Sequence, residues 1–479
     1  MILKLMLSIL LLGGCGLVLV SPAKKIFMKQ LTLALTSTVF VLSLFLWVGF
    51  DQSTSKFQYL VFNYWLPVAN INPLFGIDGI SLFFILLTTL IFPLCILFSW
   101  YSIQIHLKFY LICFLIMEYI LILVFSCLDI FFFYIFFEVV LIPMFLVIGI
   151  WGSRERKVRA AYLFFLYTLL GSLIMLIGIL YVYRFAGSTN YLILLYTNFT
   201  EHDQKWLWLV FFASFAVKVP MFPFHIWLPE AHAEAPTAGS VILAGILLKL
   251  GSYGFLRFSL GLFPLASIYY TPFLFCLSLF GVIYTSLSAL RQTDFKRLIA
   301  YTSVAHMNLV IVGLFTNNVI GVEAALLQSL SHGFVSSALF FLIGVLYDRF
   351  DTRLICNFTG IVYTMPIFVI ILFFFTLANL SLPGTSSFIG EFLLLVSIFE
   401  VSASSCFLAA ISMVLAAAYS LWVFNRVAFG NTKLVGVDLT LREFIVFLPL
   451  ILGTILMGLY PDIFLKFMHA SVYRFVNGG

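Results

Sequence analysis

Six side chains in this sequence can gain and lose protons from places where water should be scarce: Glu138, Lys218, Lys249, His306, His332 and Glu391. Each lies inside a long apolar run, and the six are spread over successive runs instead of clustering in one. A charge at the centre of a bilayer costs about 2.5–3.5 kcal/mol on insertion scales, so such residues turn toward protein or water and tend to mark ion or proton paths. Burial disfavours the charged form of a lysine and of a carboxylate alike, which brings both within reach of neutral pH and lets a neighbouring charge switch the proton. The chemistry on offer is proton relay. A lone buried histidine is more often a packing residue, and a lone Lys–Glu pair can be a permanent ion pair. Six groups running through consecutive helices exceed what local pairing requires. Asp129 and Glu118 stand nearer the ends of their runs and carry less weight.

Two of the six sit beside interruptions. Lys218 opens the run Lys218-Val219-Pro220-Met221-Phe222-Pro223, and Glu391 follows Pro383-Gly384. Pro220, Pro223 and Pro383 each remove a backbone donor and crowd the preceding turn. Carbonyls freed at membrane depth are tolerated only beside protein or water. Two broken helices, each next to a buried charge and five spans apart, point to a pair of inverted repeats.

The elements that must hold these groups follow from composition. Hydrophobic residues make up 63% of the 479 and charged residues 9%, against roughly 45–50% and about 25% in a soluble domain. Too few charges remain to clothe a water-facing surface, so lipid is the main solvent. Apolar runs predict an all-α integral membrane protein of about 14 transmembrane helices, at 1–20, 31–50, 80–101, 109–126, 128–150, 160–183, 207–227, 238–261, 268–290, 297–315, 320–346, 364–400, 403–425 and 441–460. The seventh and twelfth are the broken ones. Spans 4–8 and 9–13 would form the repeats, dividing the chain into 1–108, 109–262, 263–430 and 431–479.

Loop charge tests the count. With the N-terminus outside, sixteen of the 25 Lys and Arg residues fall in inner loops, seven lie outside, and Lys218 and Lys249 are within spans. The positive-inside rule then places both termini on the outer side, with the Gly152–Arg159 loop inside and the Phe185–Lys205 loop outside. The first twenty residues imitate a signal peptide ending at Leu12-Gly13-Gly14-Cys15, but Lys24, Lys25 and Lys29 follow the apolar run, the reverse of a positive leader, so a first membrane helix is expected.

Other chemistries find no support. The net charge of +6 is scattered over short loops, not gathered into a nucleic-acid stripe. Seven cysteines show no Cys-x-x-Cys and no Cys/His ligand spacing, and no Gly-x-Gly-x-x-Gly or Walker motif appears. Phenylalanine is used 57 times, as a T-rich organellar genome would favour.

Longer motifs carry a resemblance. His225–Arg257 (HIWLPEAHAEAPTAGSVILAGILLKLGSYGFLR), Arg291–Val310 (RQTDFKRLIAYTSVAHMNLV), Leu330–Arg349 (LSHGFVSSALFFLIGVLYDR), Phe373–Leu395 (FFFTLANLSLPGTSSFIGEFLLL) and Leu128–Gly152 resemble the antiporter-like membrane-arm subunits of mitochondrial NADH:ubiquinone oxidoreductase, respiratory complex I, and within them the subunit 4 group. The resemblance spans about residues 70–470. It implies a fourteen-helix antiporter-like fold of two inverted five-helix units, with one proton channel. It implies that Glu138 is the fifth-helix glutamate, Lys218 its seventh-helix partner, Lys249 the eighth-helix link, His306 and His332 relay members, and Glu391 the exit-side proton site. It further implies partners among the other membrane-arm subunits, including sister antiporter-like ones, besides membrane lipids. The implied location is the mitochondrial inner membrane, with the termini toward the intermembrane space. No cofactor is expected on this chain, since NADH, FMN, iron–sulfur clusters and ubiquinone belong to other subunits in that family. The alternative is a subunit of a cation/proton antiporter complex, which shares the Glu–Lys–Lys–Glu pattern.

Overall fold

The computed structural model describes residues 2–62, 65 and 70–477. Helices α1 (Ile2–Leu19), α2 (Lys25–Val48), α3 (Gly79–Phe98) and α4 (Leu107–Ser126) come first, with a small antiparallel pair, β1 (Gln58–Phe62) and β2 (Leu74–Ile77), between α2 and α3. They are followed by α5 (Ile130–Trp151, interrupted at Val140), α6 (Lys157–Ala186), the single turn α7 (Tyr191–Leu194), α8 (Glu201–Lys218), α9 (Trp227–Glu234) and α10 (Thr237–Leu260). The remainder is α11 (Pro264–Leu290), α12 (Phe295–Leu314), α13 (Val319–Phe350), α14 (Pro366–Asn379), α15 (Ser386–Val401), α16 (Ala403–Ala428), α17 (Leu441–Leu459) and α18 (Asp462–Asn477). Among the described residues, twelve helices are long and apolar enough to cross a membrane. The two runs expected to be broken are broken: α8 stops at Lys218 and resumes as α9, and α14 stops at Asn379 and resumes as α15.

Burial sorts the helices into two layers. The most apolar stretch of α10 is 100% buried, that of α13 94% and that of α12 89%, against 22% for α1 and 28% for α2. The helices carrying Lys249, His306 and His332 are therefore the ones shielded from lipid, as the cost of a charge in hydrocarbon demands. α13 is the hub, touching α3, α10, α12, α14, α15, α17 and α18. The outer layer presents Leu, Ile, Val and Phe, as at Phe45, Leu170 and Phe407.

Helix starts are written in side chains. Asp78 builds a capping box with Ser81 at α3, Asp129 accepts from Phe131 N and Phe132 N at α5, and Asp294 and Asn318 cap α12 and α13. Asp129 also takes the Thr189 hydroxyl at 2.5 Å. These bonds account for Asp129 as a cap. Glu118, the other acid of lesser weight, is 0% exposed on α4 and both its carboxylate oxygens lack a partner.

The connecting segments meet on two faces. On one, Ser153 N donates to Glu234 O, Phe295 N to Arg353 O, Trp151 Nε1 to Ile105 O, and Arg349 pairs with Glu443 at 2.7 Å. On the other, Leu128 N donates to Leu74 O, Ile130 N to Thr189 O, and His469 pairs with Glu323 at 2.7 Å. The segments joined on the first face are the basic ones that the charge count assigns to the inner side. Two features escaped the sequence reading. The β1–β2 pair lies between two predicted spans, and residues 462–477, beyond the last predicted span, form α18, which lies against α3 and α13.

Candidate functional site

The site is best built from Lys249 outward. Lys249 is fully buried on α10, just after a π-helical stretch, Leu243–Leu247. The wider winding of such a stretch loosens the backbone ladder. The Lys249 ammonium donates to the Ala244 carbonyl inside it at 2.5 Å and meets His332 Nδ1 at 2.8 Å. Close approach of α10 and α13 makes the second contact possible. A Cβ on Gly333, the residue after His332, would sit 3.3 Å from the Gly245 carbonyl and 2.6 Å from Leu87 Cδ2. Small residues at a crossing let backbones approach in just this way.

From His332 the series continues across α12 to α15. The His332 and His306 rings have centroids 5.9 Å apart. His306 Nδ1 then lies 2.9 Å from Glu391 Oε1, which also accepts from Gln328 Nε2 at 3.0 Å. Each ring thus has Nδ1 engaged, by Lys249 or by Glu391, and Nε2 without a partner among the described residues. An imidazole in that state can accept a proton at one nitrogen and release one from the other. Beside Glu391 a cavity of about 10 Å³, lined by Ser286, Ser412 and Tyr419 among others, is near the size one water needs.

On the other side of Lys249 the groups stand apart. Lys218 ends α8, and its ammonium lies over the Phe137 ring, 4.4 Å from the centroid, with no hydrogen-bond partner among the described residues. Phe137 precedes Glu138, which lies two residues before the interruption of α5, has Ser172 beside it and, among the described residues, keeps Oε1 unpartnered. Lys218 and Glu138 act on each other electrostatically, yet no ion pair of 4.0 Å or less joins them. The Glu138–Lys218 partnership implied by the resemblance is thus not a direct ion pair here, and the Lys218 ammonium rests on the Phe137 ring. Pro220 and Pro223 lie in the α8–α9 break, and Pro383 and Gly384 in the α14–α15 break, where Gly384 takes φ +96°.

The sequence reading passed over three groups. His232, on α9, is 0% exposed, has both ring nitrogens unpartnered and stacks on Phe340 at 4.7 Å. Its charged neighbours are Lys296 and Lys249. Lys296, buried at the start of α12, donates to Ala235 O at 2.8 Å and lines a vestibule of about 520 Å³ on the basic face, with Asp348, Arg349, Arg442 and Glu443. Gln328 is the third, through its bond to Glu391. His232 could have been noticed as a titratable residue between Pro223 and Pro236. Nothing local marks Lys296 or Gln328.

On the opposite face Arg257, at the end of α10, reaches Asp78 at 2.5 Å, and both are buried. Burial pushes the Asp78 carboxyl up, but the Arg257 guanidinium and the Ser81 hydrogen bonds outweigh it and hold the group below the usual carboxylate range. Among the described residues no three His, Cys, Asp or Glu side chains are grouped so as to hold a metal ion.

Comparison with known proteins fits this geometry. The profile of the family described as NADH:quinone oxidoreductase/Mrp antiporter, transmembrane, matches residues 127–417. NADH-ubiquinone oxidoreductase chain 4 of Marchantia polymorpha is 56% identical over 478 residues, covering 99% of this chain and 97% of that one. The chain 4 of Arabidopsis thaliana is 55% identical, covering 98% and 95%. Among solved structures, a chain of respiratory complex I from Thermus thermophilus superposes with a TM-score of 0.91 at 30% identity, covering 100% and 99%. A chain of the Mrp complex from Dietzia sp. shares the fold, with a TM-score of 0.88 at 18% identity and coverage of 99% and 97%.

Proposed function

This chain belongs to the NADH:quinone oxidoreductase/Mrp antiporter transmembrane family, and from that premise we propose how it works as the proton-pumping membrane-arm subunit of an NADH:ubiquinone oxidoreductase. The observation that carries the reading is the buried string Lys249–His332–His306–Glu391, in which neighbours touch or stand one ring apart. A proton on Lys249 passes to His332 Nδ1. Release from His332 Nε2 toward His306 Nε2 crosses the gap between the rings, and Glu391 takes the charge at the far end. Upstream, Glu138 and Lys218 gate uptake: approach of the pair favours both charged forms, and separation drives the Lys218 proton toward Lys249. His232 and Lys296 stand between the vestibule and Lys249 and offer a stop on the way in.

The finer architecture is proposed with it. The two broken runs, α8–α9 and α14–α15, complete about fourteen crossings, and α4–α10 and α11–α16 form the inverted halves. The basic face lies toward the mitochondrial matrix and both termini toward the intermembrane space. Sister antiporter-like subunits are its neighbours, and NADH, FMN, iron–sulfur clusters and ubiquinone are handled elsewhere in the complex. The cation/proton antiporter reading shares the fold, but relatives 55–56% identical over nearly the whole chain favour the oxidoreductase.

Two experiments test these statements. Glu391→Gln keeps size and removes titration, so in the assembled complex pumping should fall; normal pumping would remove Glu391 from the path. Cysteines placed in the Gly152–Arg159 and Phe185–Lys205 segments should react with an impermeant reagent from opposite sides of sealed vesicles. Labelling of both from one side would end the topology.

A further inference from the structure

The basic face holds a second charged feature that the proton path leaves unused. Between the α1–α2 turn and the start of α4 lies an open cavity of about 570 Å³. Lys25, His106 and Lys108 form its polar wall, and Val18, Phe109 and Ile112 its apolar one. The Lys108 ammonium donates to the Val18 and Val20 carbonyls at 2.7 and 2.9 Å, which leaves one of its three protons unused. Lys25 makes a single long contact of 3.5 Å, to Gln104 O, and keeps two. Lys24 and Lys29 stand on the same stretch, and residues 18–29 and 100–112 contain no Asp or Glu. Neither α2 nor α4 carries an acid in its first turn. Among the described residues none of these four lysines has a carboxylate within 4.0 Å. On the other flank Val18 and Phe109 are 57% and 63% exposed, Val18 on the outward-facing α1 and Phe109 in the first turn of α4.

A ligand that fits needs an anionic head of small size and an apolar body that continues down the outer surface of α1 and α4. We propose that this cavity binds the phosphate of an anionic phospholipid between Lys25 and Lys108, with its acyl chains laid along Val18, Phe109 and Ile112. Basic pockets between membrane helices on the positive side are suited to such headgroups. A soluble anion would leave the apolar wall uncovered, and an acidic protein segment would have to bring its own tail into the bilayer.

The test uses the assembled complex in vesicles of phosphatidylcholine doped with photoactivatable phosphatidylglycerol or, in parallel, photoactivatable phosphatidylcholine. Phosphatidylglycerol should label peptides spanning residues 18–28 and 104–112 in preference to phosphatidylcholine. Each lysine near an anionic surface contributes on the order of a fivefold preference, so Lys25→Gln should cut the selective labelling about fivefold. Lys25→Arg should retain it. Lys108→Gln is a second variant, read only where native electrophoresis shows intact complex, because Lys108 also ties down the end of α1. Excess inorganic phosphate should leave labelling unchanged. Equal labelling by both lipids, labelling unchanged in Lys25→Gln, loss of labelling to inorganic phosphate, or no labelling of these peptides because a neighbouring subunit covers them would each overturn the proposal.

Discussion

Between α10 and α15 the titratable groups touch: Lys249 meets His332 at 2.8 Å and His306 meets Glu391 at 2.9 Å. Between α5 and α8 they do not; the Lys218 ammonium rests on a phenyl ring, and among the described residues no ion pair joins it to Glu138. The helices differ in the same sense. Lys249 and His332 are fixed by small residues at a crossing of two long, lipid-shielded helices, whereas Lys218 and Glu138 each sit at an interruption, Lys218 at the end of α8 and Glu138 just before Val140. A fixed string conducts whenever its first member is loaded. A pair seated at two helix interruptions can open and close. Under the relay proposed above, conduction belongs to one half and control to the other.

The largest effect should come from cutting the string at its first member. Lys249→Met should lower pumping by on the order of a hundredfold or more, the scale of losing one positioned acid–base group, with the complex still assembled. Substantial pumping in that variant would mean that the two halves need no link. Lys218→Arg sharpens the same comparison from the control side. Arginine stays positive and can hardly deprotonate, so pumping should be lost despite the retained charge. If the Arg variant pumps normally, charge matters, titration does not, and the gate must be abandoned.

A smaller effect separates the halves directly. Residues in contact show interaction energies of about 0.5–3 kcal/mol in double-mutant cycles, while separated sites add to within about 0.5 kcal/mol. The cycle of His306→Ala with Glu391→Gln, measured on pumping rates, should fall in the first range. The cycle of Glu138→Gln with Lys218→Met should also show coupling, because the two charges act on each other, but the smaller of the two. Equal couplings would erase the distinction. Smallest is Gly390→Ala. Its Cβ would lie 2.4 Å from Gln328 Oε1 and 3.0 Å from Gln328 Cα, so α15 must shift from α13 at an overpacking cost of about 1–3 kcal/mol. The Gln328–Glu391 bond should weaken and pumping fall only partly, with no change in uptake control.

Much of this was legible in the sequence because lipid makes charge conspicuous. Lys218, Lys249 and Glu391 stand out against their apolar runs, and Pro220 and Pro383 foretell the ends of α8 and α14. The partners were not legible. Lys249 and His332 lie 83 positions apart, and only the crossing at Gly245 and Gly333 brings them together. The seat of Lys218 on the Phe137 ring was not legible either, because cost arguments name the groups that need partners without saying that a phenyl face can serve as one. The β1–β2 pair was missed because two short strands between apolar runs give little period-two contrast, and α18 because Asp462, Lys466, His469 and Arg474 make it too polar to read as a span. The π-helical turn before Lys249 has no local signature at all.

The complete enclosure of α10 carries a consequence for how the chain is made. During synthesis α10 leaves the ribosome before α12 and α13, the helices that later surround it. Lys249 must therefore spend time at the insertion machinery without His332, and α10 by itself is a poor guest for lipid. Its release into the bilayer is expected to wait for the next helices, or to be escorted by α3, already in place. Truncation after α11 should leave a fragment that stays associated with the insertase or is degraded, while a chain extended through α13 is released; crosslinking of stalled nascent chains would show the changeover.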